Sequence, residues 1–259
     1  MKQFFIFFKK ESLESLRNFR WVWMPLLFIL LGLIQPITTY YMPKIIDSLG
    51  DLPEGSVIEI PPPSASDVLF GTVSQYFNMI GILVIVLAFM SSIPGERKNG
   101  SAALVLVKPV SFRSYVLAKW TSALLIVWVS YILGMFANWY YTYQLFALID
   151  VSLMLKGLMI YGVWLTLVVT LVFFFGSMLK SGGATAALTL ALTIILSFVP
   201  TLVPEKLKWF PSKLFQYTGE LWSNGNISEG TTSAIIITFC LIVLLLVSSL
   251  AIFKRKELI

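Results

Sequence analysis

The sequence predicts an all-α integral membrane protein: six transmembrane helices preceded by an interfacial amphipathic helix, with both termini cytoplasmic. Three observations carry this reading. First, of 259 residues 58% are hydrophobic and only 12% are charged, against roughly 25% charged in soluble domains. Second, six stretches contain no Asp, Glu, Lys or Arg, namely 21–42, 68–93, 120–149, 157–179, 181–204 and 230–253. Each is long enough to cross a hydrocarbon core, which takes about 20 apolar helical residues. Third, 14 of the 19 Lys and Arg residues fall in 1–20, in 94–119, at Lys180 and in the tail 254–259. Positive loops are retained in the cytoplasm, so these alternate segments lie inside. No connecting segment exceeds 26 residues, too short for a soluble domain, since chains below about 40 residues seldom fold alone.

In the first segment, 1–20, Phe4, Phe5, Phe8, Leu16 and Phe19 gather on one helical arc. Lys9, Lys10, Glu11, Glu14, Arg17 and Asn18 occupy the other, while Ile6, Phe7 and Leu13 fall outside the pattern. This predicts a helix lying in the inner interface, with Trp21 and Trp23 at headgroup level where the six-span domain 21–253 begins. The outer 43–67 loop is acidic, through Asp47, Asp51, Glu54, Glu59 and Asp67, and Pro61, Pro62 and Pro63 make it irregular. The outer 205–229 loop interleaves Leu207, Trp209, Phe210, Leu214, Phe215, Tyr217, Leu221 and Trp222 with a few charges. It reads either as one or two short helices on the outer leaflet or as an ordinary loop with an aromatic belt. In the fifth span, Gly183, Ala187 and Ala191 recur every four residues, a spacing that permits close helix approach within the subunit or across a dimer.

The absence of histidine and the single cysteine, Cys240, exclude Ser-His and Cys-His nucleophile pairs, imidazole metal sites and histidine proton shuttles. The net charge of +6 reflects the topological bias and attraction to anionic lipid, not nucleic acid binding. Within the spans the notable polar residues are Gln35, Asn78 and Asn138. They either hydrogen-bond between helices or face a substrate path. Charge-free spans argue against coupling to a proton gradient, which ordinarily uses intramembrane acids or bases.

The most informative segment runs from Pro94-Gly95-Glu96-Arg97 to Pro109-Val110-Ser111. Pro94 and Gly95 break the span, Glu96 opens a short helix where a carboxylate complements the dipole, and Pro109 ends it because Lys108 is biased away from helical geometry. A connector laid against the membrane explains these residues equally well. Pro94-Gly95-Glu96-Arg97, Gly100-Ser101, Leu104 and Pro109-Val110-Ser111, with Tyr115 and Lys119 following, resemble the cytoplasmic loop of ABC type-2 transporter permeases. There Glu-Arg, two residues, Gly-Thr and a later Pro-Val-Ser precede the third span. Ser101 stands where Thr is commoner, and Ala103-Leu104 where paired leucines are frequent.

The resemblance implies a permease that pairs with a second copy or a paralogous permease. Two copies of a separate ABC ATP-binding subunit would drive it by contacting the loop that contains Glu96, Arg97, Gly100, Ser101, Leu104 and Pro109. ATP and Mg belong to that partner, and no cofactor is expected on this chain, which lacks a Gly-x-x-x-x-Gly-Lys-[Ser/Thr] phosphate loop. The expected role is export of a hydrophobic or amphipathic compound such as a lipid, peptide antibiotic or drug across the cell membrane, with no catalysis by this chain. The alternatives are a non-transport scaffold or sensor that binds a cytoplasmic regulator, sodium export by the same architecture, and a lipid-acting membrane enzyme. For an enzyme the only acidic cluster is Asp47, Asp51 and Glu54, which is better explained as solvated loop charge.

Overall fold

The computed structural model describes residues 2–48, 63–100, 111–203 and 205–257. Every regular element among them is helical: α1 (Lys2–Arg17), α2 (Arg20–Ser48), α3 (Ala65–Gly71), a π-helix (Thr72–Gly81), α4 (Ile82–Phe89), α5 (Pro94–Lys98), α6 (Phe112–Leu145), α7 (Val151–Met178), α8 (Gly182–Leu202), α9 (Lys213–Asn224) and α10 (Thr231–Glu257). Six helical stretches are long and apolar enough to cross a membrane: Arg20–Ile45, Ala65–Lys98, Phe112–Leu145, Val151–Met178, Gly182–Leu202 and Thr231–Phe253.

Several of these helices outrun the charge-free stretches at one end or both. The third begins at Phe112, not at residue 120, and the fourth at Val151, not at 157. A charge-free run marks the hydrocarbon depth, whereas a helix continues through the headgroup zone, where Lys and Arg stems lie along apolar surface. The true starts are set by caps. Ser64 and Asp67 form a capping box at α3, the Ser111 hydroxyl accepts from the Ser114 amide, and the Asp150 carboxylate accepts from the Ser152 amide. Asp67, expected in the acidic loop, is therefore part of the second span.

α7 is the centre of the bundle, with Tyr161, Trp164, Val168 and Phe173 all at most 2% exposed. α10, α9, α6 and α8 pack around it, and α2 lies along α6. The α2–α6 crossing is a contact of backbones. A Cβ on Gly134 would come within 2.6 Å of the Phe28 carbonyl oxygen, and one on Gly32 would strike the Gly134 carbonyl oxygen. Segment 205–229 is capped and packed: α9 ends at Gly225 in the left-handed region, φ 73°. Its Leu214, Tyr217, Leu221 and Trp222 are buried, the Trp222 indole N–H donates to the Leu153 carbonyl at 3.1 Å, and Phe215 stacks on Phe70.

Two faces bear on the sequence reading, one by removing an alternative and one by departing from it. α8 turns Thr185, Ala186, Thr189 and Thr193 inward and leaves Gly183, Ala187 and Ala191 exposed, so the small-residue stripe packs nothing within the subunit. α1 buries Phe7, Glu11 and Ser15 and exposes Phe5, Ile6, Leu13 and Leu16, and Phe19 is exposed in the turn that follows. Glu11 leaves its expected polar arc because a cation on α6 receives it. Cys240 is exposed, consistent with a small apolar residue on an outer face.

The crossing predicts that Gly134→Val lowers stability by about 3 kcal/mol, the upper range for overpacking a tight interior. Gly183→Ala, whose Cβ would meet only the Ser181 hydroxyl at an ordinary 3.8 Å, should lose nothing. Thermal unfolding of the purified variants in detergent checks both.

Candidate functional site

Where the second span ends, the chain turns through α5. Pro94 sits at its first positions, where a missing N–H leaves no helical bond unmade. Gly100, at φ 70°, terminates it, because a left-handed residue cannot continue a right-handed helix. α5 ends at Lys98, so Glu96 to Pro109 is not one unbroken helix. Gly100 lies in the turn, while Ser101, Leu104 and Pro109 lie outside the described residues.

Glu96 faces a pair of ammonium groups. Its Oε1 accepts from Lys119 Nζ at 2.9 Å and from Lys10 Nζ at 3.0 Å, and its Oε2 accepts from the Tyr115 hydroxyl. Lys119 also donates to Glu11 Oε1 at 2.8 Å. Lys119 is 3% exposed, Tyr115 1% and Glu11 9%, so a largely buried core of Lys119, Glu11 and Glu96, with the half-exposed Lys10 at its edge, joins α1, α5 and α6. Burial alone would lower the pKa of Lys10, but the hydrogen bond and charge of Glu96, with the charges of Glu11 and Glu14, outweigh it and hold the pKa above the usual lysine value. The carboxylates of Glu11, Glu14 and Glu96 approach closely enough to share a cation. Lys119 and Lys10 already supply the positive charge there, and the arrangement is an ionic junction.

Arg97 points to the other side of the turn. Its Nη1 donates to the Ser177 carbonyl at 2.8 Å near the end of α7, and its guanidinium lies 4.7 Å from the centroid of the Phe253 ring on α10. Phe253 in turn stacks on Tyr115 at 5.4 Å, and Phe7 meets Tyr115 edge-on. The Ser111 amide donates to Gln3 Oε1 at 3.0 Å. Both ends of the 101–110 segment are therefore tied to the bundle, through α1, α6, α7 and α10. Chemically this cluster of paired charges and stacked rings holds position.

The sequence singled out Glu96 and Arg97, quoted Tyr115 and Lys119 only as residues following the motif, and left Lys10 and Glu11 on the polar arc of the first helix. A usable signal was present: Tyr115 and Lys119 are four apart, on one helical face, at the edge of a charge-free run. The three polar span residues are not brought together. Gln35 bonds Thr39 of its own helix at 3.2 Å. Asn138, fully buried, accepts from Thr142 at 3.3 Å, and its Nδ2 has no partner among the described residues. Asn78 alone reaches across helices, accepting from the Trp164 indole N–H at 3.2 Å.

Lys119→Met should destabilise the protein by about 3–5 kcal/mol, since it leaves buried carboxylates facing each other. Adding Glu96→Gln should recover part of that loss. A thermal-unfolding double-mutant cycle measures the recovery, and strict additivity would mean the two groups do not interact.

Residues 56–259 match the family described as "Protein of unknown function (DUF2705)". The chain is also 32% identical over 257 residues, 99% of each protein, to the "Uncharacterized transmembrane protein YxlG" of Bacillus subtilis (strain 168). Six apolar helices and this relative make it a multi-pass membrane protein, and the extent of the family match shows that the chain belongs to the DUF2705 family.

Proposed function

We propose that the chain is the transmembrane permease subunit of an ATP-driven exporter of the ABC type-2 kind. The carrying observation is the junction at Glu96 and Arg97, which ties the motif-bearing segment to four other helices through buried charge and a cation-π contact. Support also comes from the motif residues themselves and from the lack of a phosphate loop in the sequence, which assigns hydrolysis to another chain. In this reading both termini are cytoplasmic, α1 lies in the inner interface of the plasma membrane, and two permeases pair.

Two ATP-binding subunits closing on nucleotide push the 94–119 region, and α5 passes that displacement to α1 and α6 through Glu96 and to α7 and α10 through Arg97. Tilting of the paired bundles then alternates access to a path for a hydrophobic or amphipathic cargo. The nucleotide-bound ATPase must bind one of the two states more tightly, because only differential affinity shifts the equilibrium.

Two measurements test this. Single cysteines at Ser64 and Ser223, in a Cys240→Ser background, should react in sealed cells with an impermeant thiol reagent, whereas one at Asn99 should not; labelling at Asn99 overturns the orientation. In proteoliposomes holding the chain and an ATPase that copurifies with it, a lipid-like dye should move when ATP is on the loop side and stop when hydrolysis is blocked. Collapse of the proton and sodium gradients should leave the rate unchanged. Movement without nucleotide, or movement that disappears with the gradients while ATP remains, contradicts the reading.

A further inference from the structure

At the end of the bundle away from α5, a cavity of about 180 Å³ is bounded by the π-helix, α7, α8 and α9, and lined by Asn78, Trp164, Ser197, Thr201, Ser212 and Gln216, with Phe198 and Phe215 beside them. Its polar atoms are already half committed, in a consistent pattern. The hydroxyl protons of Ser197, Thr201 and Ser212 go to the carbonyls of Thr193, Phe198 and Leu196 at 2.9, 2.6 and 2.7 Å. Three hydroxyl oxygens are left as acceptors. Asn78 Oδ1 accepts from the Trp164 indole, and Gln216 Oε1 accepts from Lys213 Nζ at 2.8 Å. Both donors are donor-only groups, so the amide orientations are fixed by chemistry and the two NH₂ groups remain as donors. Asn78 stands in a ten-residue π-helix, a backbone form found disproportionately at functional sites.

The lining selects a class of ligand. The lining itself carries no ionisable residue, and the ammonium beside it, Lys213, is already engaged with Gln216 Oε1, so a charged group entering would lose its hydration with no counter-charge in the lining. A purely apolar ligand would strip water from five polar groups and satisfy none of them. A group whose hydroxyls each donate and accept fits both sets, and Trp164, Phe198 and Phe215 provide apolar surface for its carbon face. The volume leaves room for several waters, each of which needs roughly 10–15 Å³ of such space, and for a unit the size of a glycerol or one sugar ring. Phe198 is 65% exposed at the rim, and Ile194, Ile195 and Leu202, on the same side of α8, are 55, 57 and 80% exposed. They extend an apolar track from the cavity along the helix.

We propose that this cavity binds the uncharged, hydroxylated headgroup of a membrane lipid, with the acyl chains lying along the Ile194, Phe198 and Leu202 stripe. This site goes beyond the export reading and is tested without an ATPase, so that failure of either leaves the other standing.

The test uses the full chain in phosphatidylcholine nanodiscs and native mass spectrometry with three lipids of matched acyl chains: a monoglucosyl diacylglycerol, phosphatidylcholine and phosphatidylserine. The glucosyl lipid should bind about tenfold tighter than either phospholipid, as two or three net hydrogen bonds allow. Gln216→Leu and Thr201→Val, both at partly exposed positions outside the packed core, should each reduce that preference several-fold while leaving thermal stability and phosphatidylcholine retention unchanged. Asn78→Leu should abolish it; because that change also removes the Trp164 bond, the other two variants carry the test if it fails to fold. Equal retention of the three lipids, a preference for phosphatidylserine, or full preference in both Gln216→Leu and Thr201→Val overturns the assignment. Free glucose that binds as tightly as the glucosyl lipid overturns the membrane-lipid part of it.

Discussion

The Lys119 ammonium is the group on which the arrangement at one end of this bundle depends. It is almost wholly withdrawn from water, and an isolated buried charge is severely unfavourable. Lys119 is therefore stable only if carboxylates reach it. Glu11 supplies one from α1 and Glu96 another from α5, and those two demands fix where both elements lie. Lys10 completes the neutralisation from the solvent side, and Tyr115 both donates to Glu96 and presents its ring 5.2 Å from Lys119 Nζ. A network of this kind adds little net stability over an apolar replacement. Its contribution is positional, since removing one member leaves an uncompensated charge.

α6 carries this cluster at one end and the glycine crossing with α2 further along. Backbone contact at Gly32 and Gly134 leaves no room for the two helices to slide, so α2 and α6 behave as one stiff unit to which α1 and α5 are ionically attached. Arg97, through Ser177 and Phe253, makes the corresponding connection to α7 and α10. The turn at α5 is thus a mechanical node between two halves of the bundle. At the opposite end α9 packs over α7 through Trp222 and Leu214, and the surfaces it shares with α8 and the π-helix create the polar cavity.

The helical spans were legible because hydrocarbon depth excludes charge, a constraint that acts residue by residue and leaves runs visible in the sequence. Helix ends were not, since the caps at Ser64, Ser111 and Asp150 lie beyond the charge-free runs, where charged residues are present. Glu96 and Arg97 stood out through the loop motif, but their roles did not: a dipole-complementing carboxylate and a buried ion-pair acceptor look identical without knowledge of what Lys119 approaches. The wheel misplaced Glu11 for the same reason, because it sorts side chains by polarity and cannot see an ion-pair acceptor drawn inward. Gln35, Asn78 and Asn138 were singled out as a group, yet only Asn78 pairs across helices. The sequence could not foresee that, because helix rotation decides which of these residues meets a donor.

The central claim is that buried charge at Lys119 holds α1 and α5 to α6. Spin labels at Leu13 on α1 and Arg113 on α6, in a Cys240→Ser background, report it through their distance distribution in nanodiscs. A single narrow distance in the parent that broadens when Lys119→Met is introduced is the outcome this account predicts, and distributions of equal width in the two proteins would contradict it.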